Sequence, residues 1–164
     1  EVEHIGVSST KIRDALQNGN LEIAEAFLGY RYELTGTVVK GRQVGRSIDF
    51  PTANLRVNDP YKLVPADGVY AVMVKRREAR MDSFGEKLKG MLNIGMRPTV
   101  NGKERTIEVN ILDFNADLYG ETLTLEFVKR LRNEVKFDGI EALKKQLEKD
   151  REETRKILSM ISGQ

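Results

Sequence analysis

The order of patterns along the chain predicts a mainly-β protein, a small antiparallel barrel with one long helix at its C-terminal end. Three observations carry this. From Tyr32 to Phe127 the chain reads as strands: Leu123, Leu125 and Phe127 alternate with Thr122, Thr124 and Glu126, and Ile107, Val109 and Ile111 alternate with Glu108 and Asn110, the period of two that a half-buried strand requires. Turn formers punctuate the run at Asn58-Asp59-Pro60, Asp67-Gly68 and Asn101-Gly102, the last a two-residue hairpin signal. A helical period then takes over, with Ile140, Leu143, Leu147, Thr154, Leu158 and Ile161 on one face. Many short strands followed by one helix bury their apolar faces as a sheet closed on itself with the helix on its flank.

The elements follow in order. Residues 1–29 read as a short helical appendage: Ser9 or Thr10 can cap Lys11–Gln17, Gly19 ends that helix, and Asn20 can cap Leu21–Leu28. Val69–Val74 and Met91–Ile94 are dense apolar runs that suit strands covered on both faces. Between Arg76 and Lys87 the chain is polar and reads as a loop. Asp138 and Glu141 fit a capping box at the start of the terminal helix.

Composition narrows the function classes. The 164 residues suffice for one domain with a single core. With 27 basic and 25 acidic side chains the formal charge is +2, too mild a balance for an electrostatic footprint on nucleic acid. No apolar run reaches membrane-spanning length, so neither nucleic acid nor membrane is expected as a partner. The absence of cysteine excludes disulfides and thiolate metal sites and is compatible with a reducing cytoplasm. The single histidine, His4, lies in the N-terminal stretch, which leaves the body without a histidine for acid–base work or zinc. A start at Glu1 without methionine suggests an excised or processed fragment.

The chemistry concentrates between Gly36 and Leu55, GTVVKGRQVGRSIDFPTANL. Gly36, Gly41 and Gly45 let the backbone approach a ligand closely, and Lys40, Arg42 and Arg46 add positive charge to any anion-binding concavity the loop forms. The spacing is not that of a Walker loop: three residues separate Gly41 from Gly45, Arg46 stands where lysine belongs, and Pro51 follows too soon for a helix. Thr52 and Asn54 are two apart, so on extended backbone their oxygens share a side, one geometry for holding a metal beside a phosphate. On residue types alone the segment reads equally as bulges, turn caps and a solvated cationic rim, and Glu108 as a solvated strand residue.

Resemblance changes that weighting. The Gly-rich string ending in Phe50-Pro51-Thr52-Ala53-Asn54-Leu55, together with Asn93–Thr99 (NIGMRPT), Glu108–Gly120 (EVNILDFNADLYG) and Leu131–Phe137 (LRNEVKF), resembles the signature of riboflavin kinases over residues 30 to 158. Val7–Arg13 (VSSTKIR) is similar to the tail of the FMN adenylyltransferase module that precedes this kinase in bacterial bifunctional FAD synthetases. The resemblance implies a six-stranded Greek-key barrel, with residues 1–29 a helical remnant of the adenylyltransferase module and 30–164 the kinase domain. It implies transfer of the ATP γ-phosphate to the terminal ribityl hydroxyl of riboflavin, giving FMN and ADP with Mg²⁺, as a step of FMN and FAD biosynthesis.

It also implies roles residue by residue. Glu108 is the catalytic base. Gly36, Lys40, Gly41, Arg42, Gly45, Arg46, Thr52 and Asn54 hold the nucleotide, and Thr52 and Asn54 the metal. Arg97, Pro98 and Thr99 lie near the flavin, and Arg132, Glu134 and Phe137 sit in a segment that closes over it. Two departures stand out: Asp49 replaces an expected glycine and sets an anion near the phosphates, and Asn110 replaces a histidine two residues after the base. Adenylylation of FMN is expected only from a longer protein containing the adenylyltransferase module. The competing readings are a flavin-binding reductase barrel and an OB-like module for single-stranded nucleic acid. The second needs an aromatic stacking platform, and the chain has no tryptophan.

Overall fold

The computed structural model describes residues 2–40, 50–77 and 84–162. Two helices, α1 (Val2–Gln17) and α2 (Leu21–Leu28), lead into six strands, β1 (Glu33–Val39), β2 (Ala53–Val57), β3 (Gly68–Arg77), β4 (Phe84–Thr99), β5 (Gly102–Ile111) and β6 (Thr122–Arg132), and helix α3 (Ile140–Ser162) closes the chain. The strands form a closed barrel in the order β1-β2-β5-β4-β3-β6, every neighbouring pair antiparallel. Closure gives every strand a neighbour on both sides, although β2 and β5 meet at only two positions.

The alternations place the core. Leu34, Val38, Leu55, Tyr70, Val72, Val74, Leu92, Ile94, Ile107, Val109, Ile111, Leu123, Leu125 and Phe127 fill the interior, with the Tyr70 and Phe127 rings edge to face at 5.1 Å. β3 is buried on both faces, as its dense apolar run predicts, because α3 covers the outside. Ala71 and Met73 pack with Leu158, Ile157 and Ile161, and Val69 and Met91 with Phe50, Leu143 and Leu147. The N-terminal helices are part of the same core, to which they contribute Leu16, Leu21 and Ala24.

Several boundaries differ from the sequence reading. Helix α1 begins at Val2, with Ser9 and Thr10 inside it; a hydroxyl residue within a helix costs only tenths of a kcal/mol, too little to end one. Asn20 makes no side-chain cap bond. Of the expected loop from Arg76 to Lys87, residues 76–77 and 84–87 are strand, with Arg77 of β3 paired to Phe84 of β4, and residues 78–83 lie outside the described residues. At the end of β3, Arg76 grips the Glu121 carboxylate at 3.0 Å through two nitrogens. Thr99 pairs with Gly102, so the hairpin turns on Val100-Asn101, one residue earlier than expected, and Gly102 at φ +150° opens β5. Arg97-Pro98-Thr99 is therefore the end of β4. Helix α3 starts after Gly139, whose carbonyl accepts the Leu143 N–H at 3.2 Å, and Ile140 lies 61 % exposed at its tip. Asp150, which no apolar period could reveal, is buried on the inner face of α3.

Candidate active site at two adjoining clefts

Because Ile107, Val109 and Ile111 point inward, Thr106, Glu108 and Asn110 point out of the barrel on β5. Glu108 pairs across the sheet with Asn54 of β2 on one side and Asn93 of β4 on the other. The row Asn54–Glu108–Asn93 thus crosses three strands and ends at the mouth of a cleft of about 610 Å³ beneath α3. The inside of this first cleft is apolar, with Phe50, Val69 and Met91 below and Leu143 and Leu147 of α3 above, and its rim is polar, made by Asn93, Arg97, Glu108 and Glu134.

Arg97 organises the rim. Its Nε lies 3.6 Å from Glu108 Oε1, and its Nη1 donates to Glu134 Oε1, to which Asn93 Nδ2 also donates at 3.3 Å. Thr106 Oγ1 lies 3.2 Å from Glu108 Oε1. Glu134 crosses directly over β4 because Gly95 is beneath it: a Cβ there would fall 2.1 Å from both carboxylate oxygens. Arg132 also lines the cleft, but its guanidinium is committed to Asp150, with Nη2 to Oδ2 at 2.8 Å, and stands 5.7 Å from the Phe137 ring. It therefore fastens β6 to α3 and supports Phe137 in the wall.

A second cleft, of about 760 Å³, lies on the other side of β2. Val38 to Lys40, Pro51 to Asn54, and the connection from Phe114 to Tyr119 form its walls. Lys40 Nζ sits 5.5 Å from the Tyr119 ring centroid. Thr52 and Asn54 line both clefts, so the two cavities meet at this pair, one strand from Glu108. Asn110 is buried beside them and donates from Nδ2 to the Pro51 carbonyl at 2.7 Å.

The structure thus brings Glu108, Thr52, Asn54, Arg97, Glu134, Phe137 and Arg132 to one site, with Lys40 at the second cleft. Gly36 lines neither cleft; it sits within β1, where a Cβ would meet the Arg56 carbonyl at 2.5 Å, so its glycine is required by strand packing. Pro98 and Thr99 line neither cleft. Gly41, Arg42, Gly45, Arg46 and Asp49 lie outside the described residues. Sequence reasoning missed Asn93, Gly95 and Asp150. Asn93 and Gly95 belong to the quoted NIGMRPT string, yet only the strand register aligns them with Glu108 and Glu134.

Among the described residues no group of three or more histidine, cysteine or acidic side chains could hold a metal ion. The oxygens at the junction are neutral, a donor set that suits Mg²⁺ only when a polyphosphate supplies the charge and most of the ligands.

The barrel thus carries a helix-roofed apolar cleft beside a second cleft of mixed lining. Residues 28–158 match the family model for riboflavin kinase, or flavokinase, and the chain belongs to that family. Its relatives include the bifunctional riboflavin kinase/FMN adenylyltransferases of Bacillus subtilis, 44 % identical over 94 % of this chain and 48 % of that protein, and of Haemophilus influenzae, 43 % identical over 88 % and 44 %. The chain spans about half the length of these relatives. Among solved structures, a Streptococcus pneumoniae protein called a macrolide-efflux protein superposes with a TM-score of 0.79 at 41 % identity, covering 90 % of this chain and 46 % of that one. The riboflavin kinase of Trypanosoma brucei, with a TM-score of 0.58 at 23 % identity over 81 % and 83 %, shares the fold. No described helix is long and apolar enough to cross a membrane.

Proposed function

We propose that this chain phosphorylates riboflavin, transferring the γ-phosphoryl group of ATP to the terminal ribityl hydroxyl to give FMN and ADP. The observation that carries this is the shared wall: Thr52 and Asn54 line both clefts, and Glu108 is the cross-strand partner of Asn54. The apolar first cleft suits the flavin ring system, with Arg97 and Glu134 on its polar edge. The second, more open and of mixed lining, with Lys40, Thr52, Asn54, Asn115 and Asp117 as its polar members, suits the nucleotide, and the segment from Gly41 to Arg46 extends that role in sequence.

Phosphoryl transfer passes through a loose transition state, so the protein's main tasks are to align the acceptor and stabilise charge. Glu108 accepts a hydrogen bond from the ribityl hydroxyl and takes its proton as the new O–P bond forms and the bond to the β-phosphate oxygen breaks. Asn93 and Thr106 flank Glu108, and Arg97 offsets its charge until the flavin arrives. Thr52 and Asn54 would hold Mg²⁺ together with the nucleotide phosphates, and the ion, when bound, supplies neutralisation of the developing phosphate charge.

The reading carries with it a cytoplasmic setting, where ATP is available, and a division into residues 1–29 and 30–164, the first segment derived from a preceding adenylyltransferase module. Adenylylation of FMN then belongs to a longer protein. Incubation of the purified chain with riboflavin, ATP and Mg²⁺ should yield FMN and ADP in equal amounts, read by chromatography. FMN without ADP, or neither product, would refute the assignment.

A further inference from the structure

We infer that Asn110 is a positioning residue for the nucleotide, acting through Thr52; the inference rests on the kinase reading above. The backbone ladder between β2 and β5 consists of Ala53↔Val109 and Asn54↔Glu108. Extending that antiparallel register by one position sets Thr52 opposite Asn110, but the ladder cannot continue past it because Pro51 has no N–H to donate. At that point a side chain replaces the backbone: Asn110 Nδ2 donates to the Pro51 carbonyl at 2.7 Å. This carbonyl belongs to the peptide that carries the Thr52 N–H. Thr52 is therefore held on both sides, by the Ala53 ladder pair after it and by the Asn110 amide before it.

The bond is well placed to be rigid. Asn110 is 6 % exposed, and a hydrogen bond shielded from water is costly to leave unmade. Phe50, adjacent to the clamped peptide, is itself 2 % exposed and stands beneath Arg151, whose guanidinium carbon is 4.4 Å from the ring centroid. Thr52 thus emerges from a fixed peptide with its side chain at the junction of the two clefts. The amide at 110 performs this task without a titratable group, so its grip does not vary with pH.

A double-mutant cycle tests the inference. Binding of ADP with Mg²⁺ is measured by calorimetry for wild type, Thr52→Ala, Asn110→Asp and the double variant, with riboflavin affinity and thermal midpoint alongside. Asn110→Asp keeps the shape but puts an oxygen where the N–H was, and should weaken Mg·ADP about threefold to tenfold, the scale of one hydrogen bond. In the Thr52→Ala background the same change should cost less than about twofold, because what it positions has been removed. Asn110→His restores an N–H donor and should recover most of the loss. Asn110 and Thr52 also line the first cleft, so riboflavin affinity should fall too, but by clearly less than that of Mg·ADP, whereas a merely structural role would weaken both ligands equally.

Additive effects in the cycle, equal weakening of both ligands, or wild-type affinity in Asn110→Asp would overturn the inference. If Asn110→Asp does not fold, Asn110→Leu, near in volume and without the donor, runs the same cycle. The two levels are separable: a wild type that neither binds Mg·ADP nor phosphorylates riboflavin sinks the kinase reading, while an active wild type with an additive cycle sinks only the role of Asn110.

Discussion

The first cleft draws its floor from residues scattered between Phe50 and Met91 and its roof from α3, whereas the second is built from three short continuous stretches, 38–40, 51–54 and 114–119, with Val109 and Ile111 behind them. One is a product of packing: its apolar surface exists only because β3, β4, β6 and a helix converge. The other is a product of local chain: consecutive residues of a strand end and two connections curve around a space. A flat aromatic ring is recognised by assembled side chains, a polyphosphate by loops and their backbone. The contrast explains why the two halves of such a site fail differently when altered.

Four changes sharpen or break this comparison. The largest effect should come from Glu108→Gln, at the seam, where the loss of a proton acceptor should lower single-turnover FMN formation about 10²–10⁴-fold while both ligands still bind by calorimetry. Loss of binding in either cleft would show that Glu108 belongs to that cleft rather than to the chemistry between them. Next is Lys40→Ala, confined to the second cleft. Removing one charge-assisted contact should weaken Mg·ADP about tenfold and leave riboflavin affinity unchanged, and an equal effect on riboflavin would erase the distinction between the clefts.

Gly95→Ala probes the first cleft alone. The new methyl group must displace the Glu134 carboxylate and with it the partly exposed pairing to Arg97, so riboflavin should bind about three- to fivefold more weakly, read by flavin fluorescence, with Mg·ADP unaffected. The smallest change lies outside both. Glu126 is desolvated by burial, which alone would raise its pKa, but Arg31, Lys87 and Lys75 outweigh this and hold the carboxyl below its usual range. Its folded pKa is thus below its unfolded one, so its contribution is present above the ordinary glutamate pKa of about 4.3 and is lost as pH falls through the folded value. Glu126→Gln should flatten the acid limb of the unfolding free energy by about 1 kcal/mol or less without touching turnover. A change in either ligand's affinity would mean that the outer face of the barrel reaches the site.

The same contrast governs what was legible in the sequence. Strand alternation gave the barrel's interior, because inward residues such as Ile107, Val109 and Ile111 obey a period that needs no knowledge of partners. The Thr52–Asn54 pair was readable as a candidate because its two members are near neighbours in the chain. Asn93, Gly95 and Asp150 were not, since each takes its meaning from a residue 15 to 39 positions away: Asn93 from Glu108 across the ladder, Gly95 from Glu134, Asp150 from Arg132. The polar ends of β3 and β4, residues 76–77 and 84–87, were read as part of a loop because charged side chains at a strand end imitate polarity in a turn. Gly36 was read as a ligand contact although the Arg56 carbonyl, brought close by the β1–β2 register, is what excludes a side chain there.

The strand order carries a consequence for the moment of synthesis. β6, the last strand made, is the neighbour of both β1, the first, and β3, and Leu34 meets Leu125 only after ninety intervening residues have been added. Until then the nascent sheet is an open ribbon with two sticky margins, and its interior cannot be sealed from water or from another chain. A ribosome that stalls before residue 122 releases a product with every motif of the second cleft already written and no enclosure to hold it.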